Sequence, residues 1–149
     1  MSDFNSIDRE HFVIIDANSV VHSSFHAYEP IPDKKGNDQR VLHGLLNHLV
    51  DISYRLEKID YLYLVFDPQD GSLYRKSLYP AYKENRPPTD PDLIRQKINS
   101  IKIFEDYLGV PIVSYSGFEA DDIIGSMANL MKENYKVTIV SPDKDLMQL

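Results

Sequence analysis

The segment of residues 117–122 combines carboxylates with helical spacing in a way that could do chemistry. Glu119, Asp121 and Asp122 fall within four residues of one another. Their mutual repulsion raises the free energy of the folded chain unless positive charge lies nearby. Apolar residues at the spacing of an amphipathic helix follow directly: Ile123, Ile124, Met127, Leu130 and Met131. A helix N-terminus offsets part of the repulsion and a bound divalent metal ion would offset far more, so the segment predicts a metal site.

Four short apolar runs predict buried strands, and acidic residues follow each of them. The runs cover residues 12–15, 61–66, 111–115 and 136–140. The acids after them are, in chain order, Asp16, Asp67, the three named above, and Asp143 with Asp145. Because ligands bind at the carboxyl edge of an open parallel sheet, we expect these seven carboxylates to share one edge. Their oxygens suit a hard cation such as Mg²⁺ or Mn²⁺.

Taken singly, each of these acids has a simpler explanation. Asp16 could cap a helix, Asp67 could open a turn, and Asp143 could form another turn. Asp143 and Asp145 are two positions apart, however, so in extended backbone both would point to the same side. Unrelated caps and turns have no reason to share one sheet edge, which favours a joint site. An acid cluster that binds two metals fits phosphodiester hydrolysis, because the metals activate a water and stabilise charge on the attacking and leaving oxygens.

The stretches between the strands predict helices that would hold this edge together. The first helix, capped by Asn18 or Ser19, runs towards Tyr28, and the second covers residues 39–57. A third starts with a cap and a first-turn proline at residues 90–91 and ends at Gly109. Its expected inward stripe is Ile94, Ile98, Ile101, Phe104 and Leu108. A last helix begins over residues 146–149. This alternation predicts one α/β domain over residues 1–149, with a mainly parallel sheet.

Residues 72–91 break the pattern with prolines and predict a loop, the best candidate for a mobile element that contacts substrate. Four basic residues lie in its first part: Arg75, Lys76, Lys83 and Arg86. We refer to residues 75–86 as the basic segment. If it folds as a helix over the acids, Lys83 could place positive charge on a scissile phosphate and Tyr82 could stack on a base.

Composition narrows the class of protein. The 149 residues are 42% hydrophobic and 26% charged, as in an ordinary soluble domain. Cysteine is absent from the sequence, which excludes disulfides and thiolate metal sites and fits a cytoplasmic location. The sequence has neither an export signal at its start nor an apolar run of membrane-spanning length. The net charge of −7 is unusual for a nucleic-acid binder, but acids around metal ions are neutralised in use. The five histidines lack metal-ligand spacing; His26 could reach the site, but a structural role is the expectation for it.

Five stretches closely resemble the motifs of the 5′-nuclease family. They read IDANS at residues 15–19, VFD at 65–67, YPAYKENRPP at 79–88, SGFEADD at 116–122 and DKD at 143–145. That family includes the 5′-nuclease domain of bacterial DNA polymerase I and the free-standing flap endonucleases of bacteria and phages. The resemblance implies a PIN-like, Rossmann-like fold with helices on both faces of the sheet. It also implies Mg²⁺-dependent cleavage, with Mn²⁺ as an alternative and up to two ions, of DNA with 5′ ends, flaps or branches in replication and repair.

By matching position, the resemblance implies roles for individual residues. The expected metal ligands, direct or through water, are Asp16, Asp67, Glu119, Asp121, Asp122, Asp143 and Asp145. Lys83 and Arg86 would lie in an arch above the metals and act on the phosphate, and Arg75 would contact DNA. The family commonly has arginine where Ser23 stands, so one phosphate contact is expected to be missing.

Family members continue past the position of Asp145 into a helix–turn–helix-like DNA-binding region that bears further metal-site aspartates. The present sequence ends at Leu149. We therefore expect a fragment or a truncated protein, with the first metal site largely present, the second incomplete, and reduced or no activity alone.

Other classes of function compete with the DNA nuclease. A PIN-type endoribonuclease would fit the short length, whereas the basic segment favours the DNA enzyme. An inactive module that binds metal and nucleic-acid ends is a third reading. A phosphatase with an aspartyl-phosphate intermediate is disfavoured, because it would need an acid where Asn18 stands and an amide cannot supply the proton.

Overall fold

The structure, a computed structural model, describes residues 8–70 and 72–148, apart from the side chains of Met147 and Gln148, and is built on one parallel sheet. Its strands are β1 (His11–Asp16), β2 (Tyr61–Val65), β3 (Ile112–Val113) and β4 (Lys136–Val140). They lie in the order β3-β2-β1-β4, and every pairing is parallel. The predicted α/β fold with a mainly parallel sheet is therefore confirmed.

Strand register brings the carboxyl ends of the strands level with one another. Asp16, the last residue of β1, pairs with Val65 at the end of β2, and Val65 pairs with Val113 at the end of β3. Ile15 pairs with Val140, the last residue of β4. The acidic residues that follow these strands thus start from one edge of the sheet.

Helices cover both faces of the sheet, as the resemblance implied. They are α1 (Ala17–Ala27), α2 (Arg40–Arg55), α3 (Leu73–Leu78), α4 (Pro91–Ile103) and α5 (Ala120–Met131). Val13 and Ile15 of β1 pack on one side, in a core cluster with apolar residues of α1, α2 and α4. Phe12 and Ile14 pack on the other side, against α5. This alternation is the two-residue period of a strand that is buried on both faces.

The start of α1 differs from its prediction. Its cap is Asp16, whose Oδ1 accepts a hydrogen bond from the backbone N–H of Ser19 at 3.0 Å, rather than Asn18 or Ser19. The strand therefore runs directly into the helix. Asn18 is left free for another role, described below.

The predicted inward stripe of α4 is partly wrong. Ile94, Ile98 and Leu108 are 40%, 54% and 48% exposed. Phe104, a member of the predicted stripe, is buried just beyond α4, and the helix itself buries Leu93, Gln96 and Ser100 in place of the exposed isoleucines. Gln96 can be buried because its amide accepts from Val41 N and donates to Asp38, which satisfies its polar atoms. The predicted start at Asp90 with Pro91 is confirmed. A π-helical turn, Phe104–Leu108, continues α4 and ends at Gly109, which has a left-handed φ of 61°, so the predicted stop of the helical run is also confirmed.

The segment predicted as a loop contains the short helix α3, followed by tight turns. Tyr82, Glu84 and Arg86 each donate a backbone hydrogen bond to the residue three positions earlier. The basic segment is therefore helical only at its start, and Lys83 has a left-handed φ of 57°. The predicted third strand is reduced to two residues, and Lys144–Gln148 is a 3₁₀ helix. Leu149 lies outside the described residues. Within residues 8–70 and 72–148, no helix has both the length and the apolar character needed to cross a bilayer.

Candidate active site

A cavity of about 560 Å³ opens at the carboxyl edge of the sheet. Six of the seven predicted carboxylates line it: Asp16, Asp67, Glu119, Asp121, Asp143 and Asp145. Four predicted residues of the basic segment line it too: Arg75, Tyr82, Lys83 and Arg86. Asp122 is outside the lining but bonded to Arg75. The fold therefore gathers acids from the ends of all four strands around one space and places the basic segment beside them.

Asp16 is held in the site by hydrogen bonds to both of its carboxylate oxygens. It is buried, and its two oxygens accept from different elements. Oδ1 caps α1, while Oδ2 accepts a 2.7 Å hydrogen bond from the hydroxyl of Ser141, just beyond β4. The capping role and a place in the site thus coincide in one residue.

Asp67 is fixed from two sides. Its Oδ1 accepts from the backbone N–H of Ala120 at 2.6 Å, and its Oδ2 accepts from the side-chain amide of Asn18 at 2.9 Å. Burial raises the pKa of this carboxyl, and the Ala120 hydrogen bond and the charge of Lys97 only partly oppose that effect. A raised pKa marks a carboxylate that would gain from a nearby cation.

Glu119 is the most heavily bonded acid of the segment. Its Oε1 accepts from Lys83 Nζ and from the Ser72 hydroxyl, and its Oε2 accepts from the Tyr82 hydroxyl at 3.1 Å. Arg75 Nη1 lies 3.0 Å from the same Oε2. Burial raises the pKa of Glu119, but the hydrogen bonds from Lys83 and Ser72, together with the charges of Lys83 and Arg75, outweigh this and hold it below the usual value.

Arg75 joins the three crowded acids. Its Nη2 donates to Asp121 Oδ2 at 3.0 Å and to Asp122 Oδ1 at 2.8 Å, in addition to the contact with Glu119. The hydrogen bond with Asp122 is the main cause that raises the pKa of this guanidinium. The sequence argument required a positive charge at this place, and Arg75 with Lys83 supply it from within the chain.

Asp143 and Asp145 reach the cavity by another route than predicted. They lie at a turn and the first residues of a 3₁₀ helix, where the backbone N–H of Asp145 donates to Asp143 Oδ1 at 2.9 Å. The premise of an extended backbone was therefore wrong. Both residues nevertheless line the cavity.

The donor set fits a hard divalent cation, since carboxylate oxygens from four strand ends surround one polar space. As the side chains stand, no three His, Asp or Glu residues among those described converge on a point that could hold an ion. Lys83 and Arg75 occupy oxygens of Glu119, Asp121 and Asp122. A metal bound at those oxygens would compete with these two side chains.

Sequence reasoning missed two residues of the site. Lys97 was not among the predicted site residues, yet its Nζ reaches Asn18 Oδ1 and the carbonyl oxygen of Asp67. Burial lowers the pKa of this lysine. His22 lines the cavity, whereas His26, the histidine considered from the sequence, does not. Neither residue had a sequence signal. Asn18, which also lines the cavity, was considered from the sequence because it stands two residues after Asp16.

Comparison with known sequences identifies relatives of the chain. The family model described as 5′-3′ exonuclease, N-terminal resolvase-like domain, matches residues 11–149. The chain is 36% identical over 137 residues to a 5′-3′ exonuclease of Aquifex aeolicus, covering 91% of this chain and 46% of that protein. It is 33% identical over 138 residues to the thermostable DNA polymerase I of Thermus aquaticus, covering 92% of this chain and 16% of that protein. The chain thus spans less than half the length of both relatives.

Solved structures share the fold. The flap endonuclease of bacteriophage T5, in a pseudo-enzyme-product complex with DNA and metal ions, superposes with a TM-score of 0.66 at 16% identity. The match covers 94% of this chain and 52% of the phage chain. The T5 5′-exonuclease with bound divalent zinc ions matches with a TM-score of 0.59 at 19% identity, covering 93% and 51%. At these identities the likeness establishes a common fold.

Proposed function

The chain belongs to the family of 5′-3′ exonuclease N-terminal domains, and from that membership we propose that it is the metal-binding catalytic part of a DNA nuclease. The proposed reaction is hydrolysis of DNA phosphodiesters at 5′ ends or 5′ flaps, in DNA replication and repair. One observation carries the proposal: acids from four strand ends and four residues of the basic segment line a single cavity. Acids alone would suggest only a cation site, whereas acids facing basic groups suit a phosphate that bridges metal and protein.

The acids are proposed to bind Mg²⁺ or Mn²⁺, up to two ions in the complete enzyme. The ligands, direct or through water, would be Asp16, Asp67, Glu119, Asp121, Asp122, Asp143 and Asp145. When bound, such ions lower the pKa of an attacking water and stabilise charge on the phosphate oxygens. The chain's own part is to hold these carboxylates in place, as the bonds to Asp16 and Asp67 do.

Lys83 and Arg86 are proposed to act on the scissile phosphate. Both line the cavity, so a phosphate bound beside the acids would lie close to their positively charged groups. Lys83 forms an ion pair with Glu119. If a metal ion binds that carboxylate, the ammonium group of Lys83 could pair with a phosphate instead. Positive charge placed where negative charge develops lowers the barrier for phosphoryl transfer.

Arg75 and Tyr82 are proposed to contact DNA, and both have partners within the chain. The Tyr82 hydroxyl accepts from Arg75 at 2.7 Å and donates to Glu119 at 3.1 Å. The ring of Tyr82 lies 5.5 Å from the Arg75 guanidinium carbon and 5.1 Å from Lys83 Nζ. DNA binding by these residues therefore implies an exchange of partners, in which phosphate or base replaces the acids.

Cleavage of 5′-labelled flap DNA in Mg²⁺ or Mn²⁺ tests the proposal. The substrate should be offered to the 149-residue chain and to a longer form that also carries the C-terminal DNA-binding region expected from the resemblance. The chain covers 46% of the Aquifex relative's length, so the longer form is expected to be the more active. A single-stranded RNA of the same sequence serves as the control, because preferential cleavage of RNA would favour an endoribonuclease.

A cytoplasmic location is part of the same proposal, supported by the absence of cysteine.

A further inference from the structure

We propose that Lys97 is a positioning residue for the metal site: it fixes the side-chain amide of Asn18, which in turn orients the carboxylate of Asp67. The inference rests on the proposed function, because it assumes that Asp67 binds a metal ion. Lys97 lies on α4. Its Nζ donates to Asn18 Oδ1 at 3.1 Å and to the backbone carbonyl of Asp67 at 2.6 Å.

The ammonium group of Lys97 helps to set which way the Asn18 amide faces, together with the backbone N–H of Asp67, which donates to the same Asn18 oxygen at 3.4 Å. A carboxamide can be rotated by half a turn to exchange its oxygen and nitrogen, and its neighbours select the orientation. Lysine has three donors and no acceptor, so only the oxygen of Asn18 can face Lys97. The Asn18 NH₂ group is then directed at Asp67 Oδ2, where it donates at 2.9 Å. The carboxylate of Asp67 can only accept, so it favours the same orientation. Removing Lys97 is therefore expected to loosen the Asn18 amide rather than to reverse it.

The relay also ties together the elements that carry the acids. Lys97 belongs to α4, Asn18 to α1, and Asp67 follows β2. The second oxygen of Asp67 accepts from the backbone N–H of Ala120 at the start of α5, next to Glu119. Each carboxylate oxygen can accept more than one hydrogen bond or ligand, so both oxygens of Asp67 keep capacity for a metal while their direction is fixed.

Charge and orientation make opposite predictions for a substitution at Lys97. The ammonium group repels a metal cation, so removing it should strengthen metal binding if charge were its main effect. If Lys97 acts by orienting Asn18 and Asp67, removing it should weaken metal binding. The sign of the change in affinity therefore separates the two roles.

The test is Mn²⁺ affinity, measured by electron paramagnetic resonance of free Mn²⁺ on the 149-residue chain. Lys97→Met keeps the length and apolar stem of the side chain and removes its donors. We expect its dissociation constant to rise about tenfold, the size of effect typical for groups that orient metal ligands. Lys102→Met, an exposed lysine on the same helix, is the matched control and should bind as the unmodified chain does. Unchanged or tighter binding by Lys97→Met would overturn the inference.

A double-mutant cycle tests the path through Asn18. If Lys97 acts through that amide, Lys97→Met should add little to the loss already caused by Asn18→Ala. Fully additive losses would contradict the relay. Thermal unfolding checks that each variant folds. If Lys97→Met does not fold, Lys97→Leu replaces it with the same expected weakening, because leucine also removes every donor to Asn18.

The outcomes also separate this inference from the proposed function. Failure of the unmodified chain to bind Mn²⁺, together with failure of the longer form to cleave DNA, would contradict both. Normal binding by the unmodified chain with no weakening in Lys97→Met would contradict the positioning role alone. A second readout needs no metal: exchange of the Asn18 side-chain amide protons, followed by NMR, should be faster in Lys97→Met than in Lys102→Met.

Discussion

Arg75 Nη2 and Asp122 Oδ1 lie 2.8 Å apart, and this ion pair connects the basic segment to the first turn of α5. The same nitrogen contacts Asp121 Oδ2 at 3.0 Å, so one guanidinium serves two neighbouring acids. Asp122 also accepts from the backbone N–H of Glu119, which completes a capping box at the start of the helix. The acids thus have two jobs: they cap α5, and they bind the basic segment to the site.

Removing Arg75 should destabilise the metal-free protein and make its stability depend on metal. Arg75→Met leaves Glu119, Asp121 and Asp122 without their shared cation. We expect a loss of about 2 kcal/mol in the free energy of unfolding with chelator present, the scale of a hydrogen bond to a charged group. Added Mg²⁺ should restore much of it, because the competitor for those oxygens is gone. Denaturant unfolding with EDTA and with Mg²⁺ measures both effects.

Arg95→Met is the control for that variant. Arg95 pairs with Asp92 in an exposed contact on α4, which is worth at most about 1 kcal/mol. An equal loss in both variants would show that Arg75 stabilises the fold no more than an exposed ion pair does. No response to Mg²⁺ in Arg75→Met would argue against metal binding at the acids that Arg75 joins.

Loss of Asp121 and Asp122 together should abolish most cleavage. The double substitution Asp121→Ala with Asp122→Ala removes two proposed ligands and frees Arg75. We expect flap-DNA cleavage by the longer form of the protein to fall at least about 100-fold, since even groups that only support metal ligands can cost that much. Glu133→Ala, an exposed acid beyond the other end of α5, should cleave normally. Undiminished cleavage by the double variant would contradict the proposed nuclease function.

Lys83 should affect the chemical step more than substrate binding. Its ammonium group lies at Glu119, within the cavity proposed to receive the phosphate. Lys83→Ala is expected to lower kcat about 100-fold, as loss of a group that stabilises transition-state charge does, with a smaller change in KM. Lys76→Ala removes an exposed lysine that does not line the cavity, and it should change neither constant much. Equal effects of the two substitutions would show that Lys83 contributes only general positive charge.

Lowering the pH should weaken the contact that Asp38, in the loop before α2, makes with α4. Burial raises the pKa of this carboxyl, but hydrogen bonds from the backbone of Ile31 and Arg40 and from Gln96 outweigh burial and lower it. A carboxyl with a lowered pKa in the folded state stabilises the protein above its unfolded pKa, and loses that contribution as pH falls through the folded pKa. Asp38→Asn should therefore be less stable than the unmodified chain near neutral pH, with the difference shrinking in acid.

Denaturant unfolding at neutral and acid pH measures this difference. Asp51→Asn is the control, because Asp51 forms only an exposed pair with Arg55 and should change stability little. A gap between Asp38→Asn and the unmodified chain that stays constant with pH would show that the ionised carboxylate of Asp38 is not what stabilises the contact.

The sequence predicted the strands, the family and the acidic motifs well, because these depend on local spacing. It predicted the inward face of α4 less well, since Gln96 is buried only because Val41 and Asp38, more than 50 positions away, supply partners for its amide. It offered no signal that Lys97 would reach the site. A lysine on an amphipathic helix is solvated unless a distant segment brings an acceptor to it, and Asn18 is 79 positions away.

By itself, the sequence determined that acids follow each of four parallel strands and that a basic, proline-rich segment lies between them. The alternation of apolar runs and the short motifs carry that information, because they act within a few residues. Only the tertiary structure decided how the charges pair: Arg75 across Glu119, Asp121 and Asp122, and Lys97 beneath Asn18 and Asp67. Those contacts join residues far apart in the chain, so their geometry depends on strand order and helix packing rather than on local pattern.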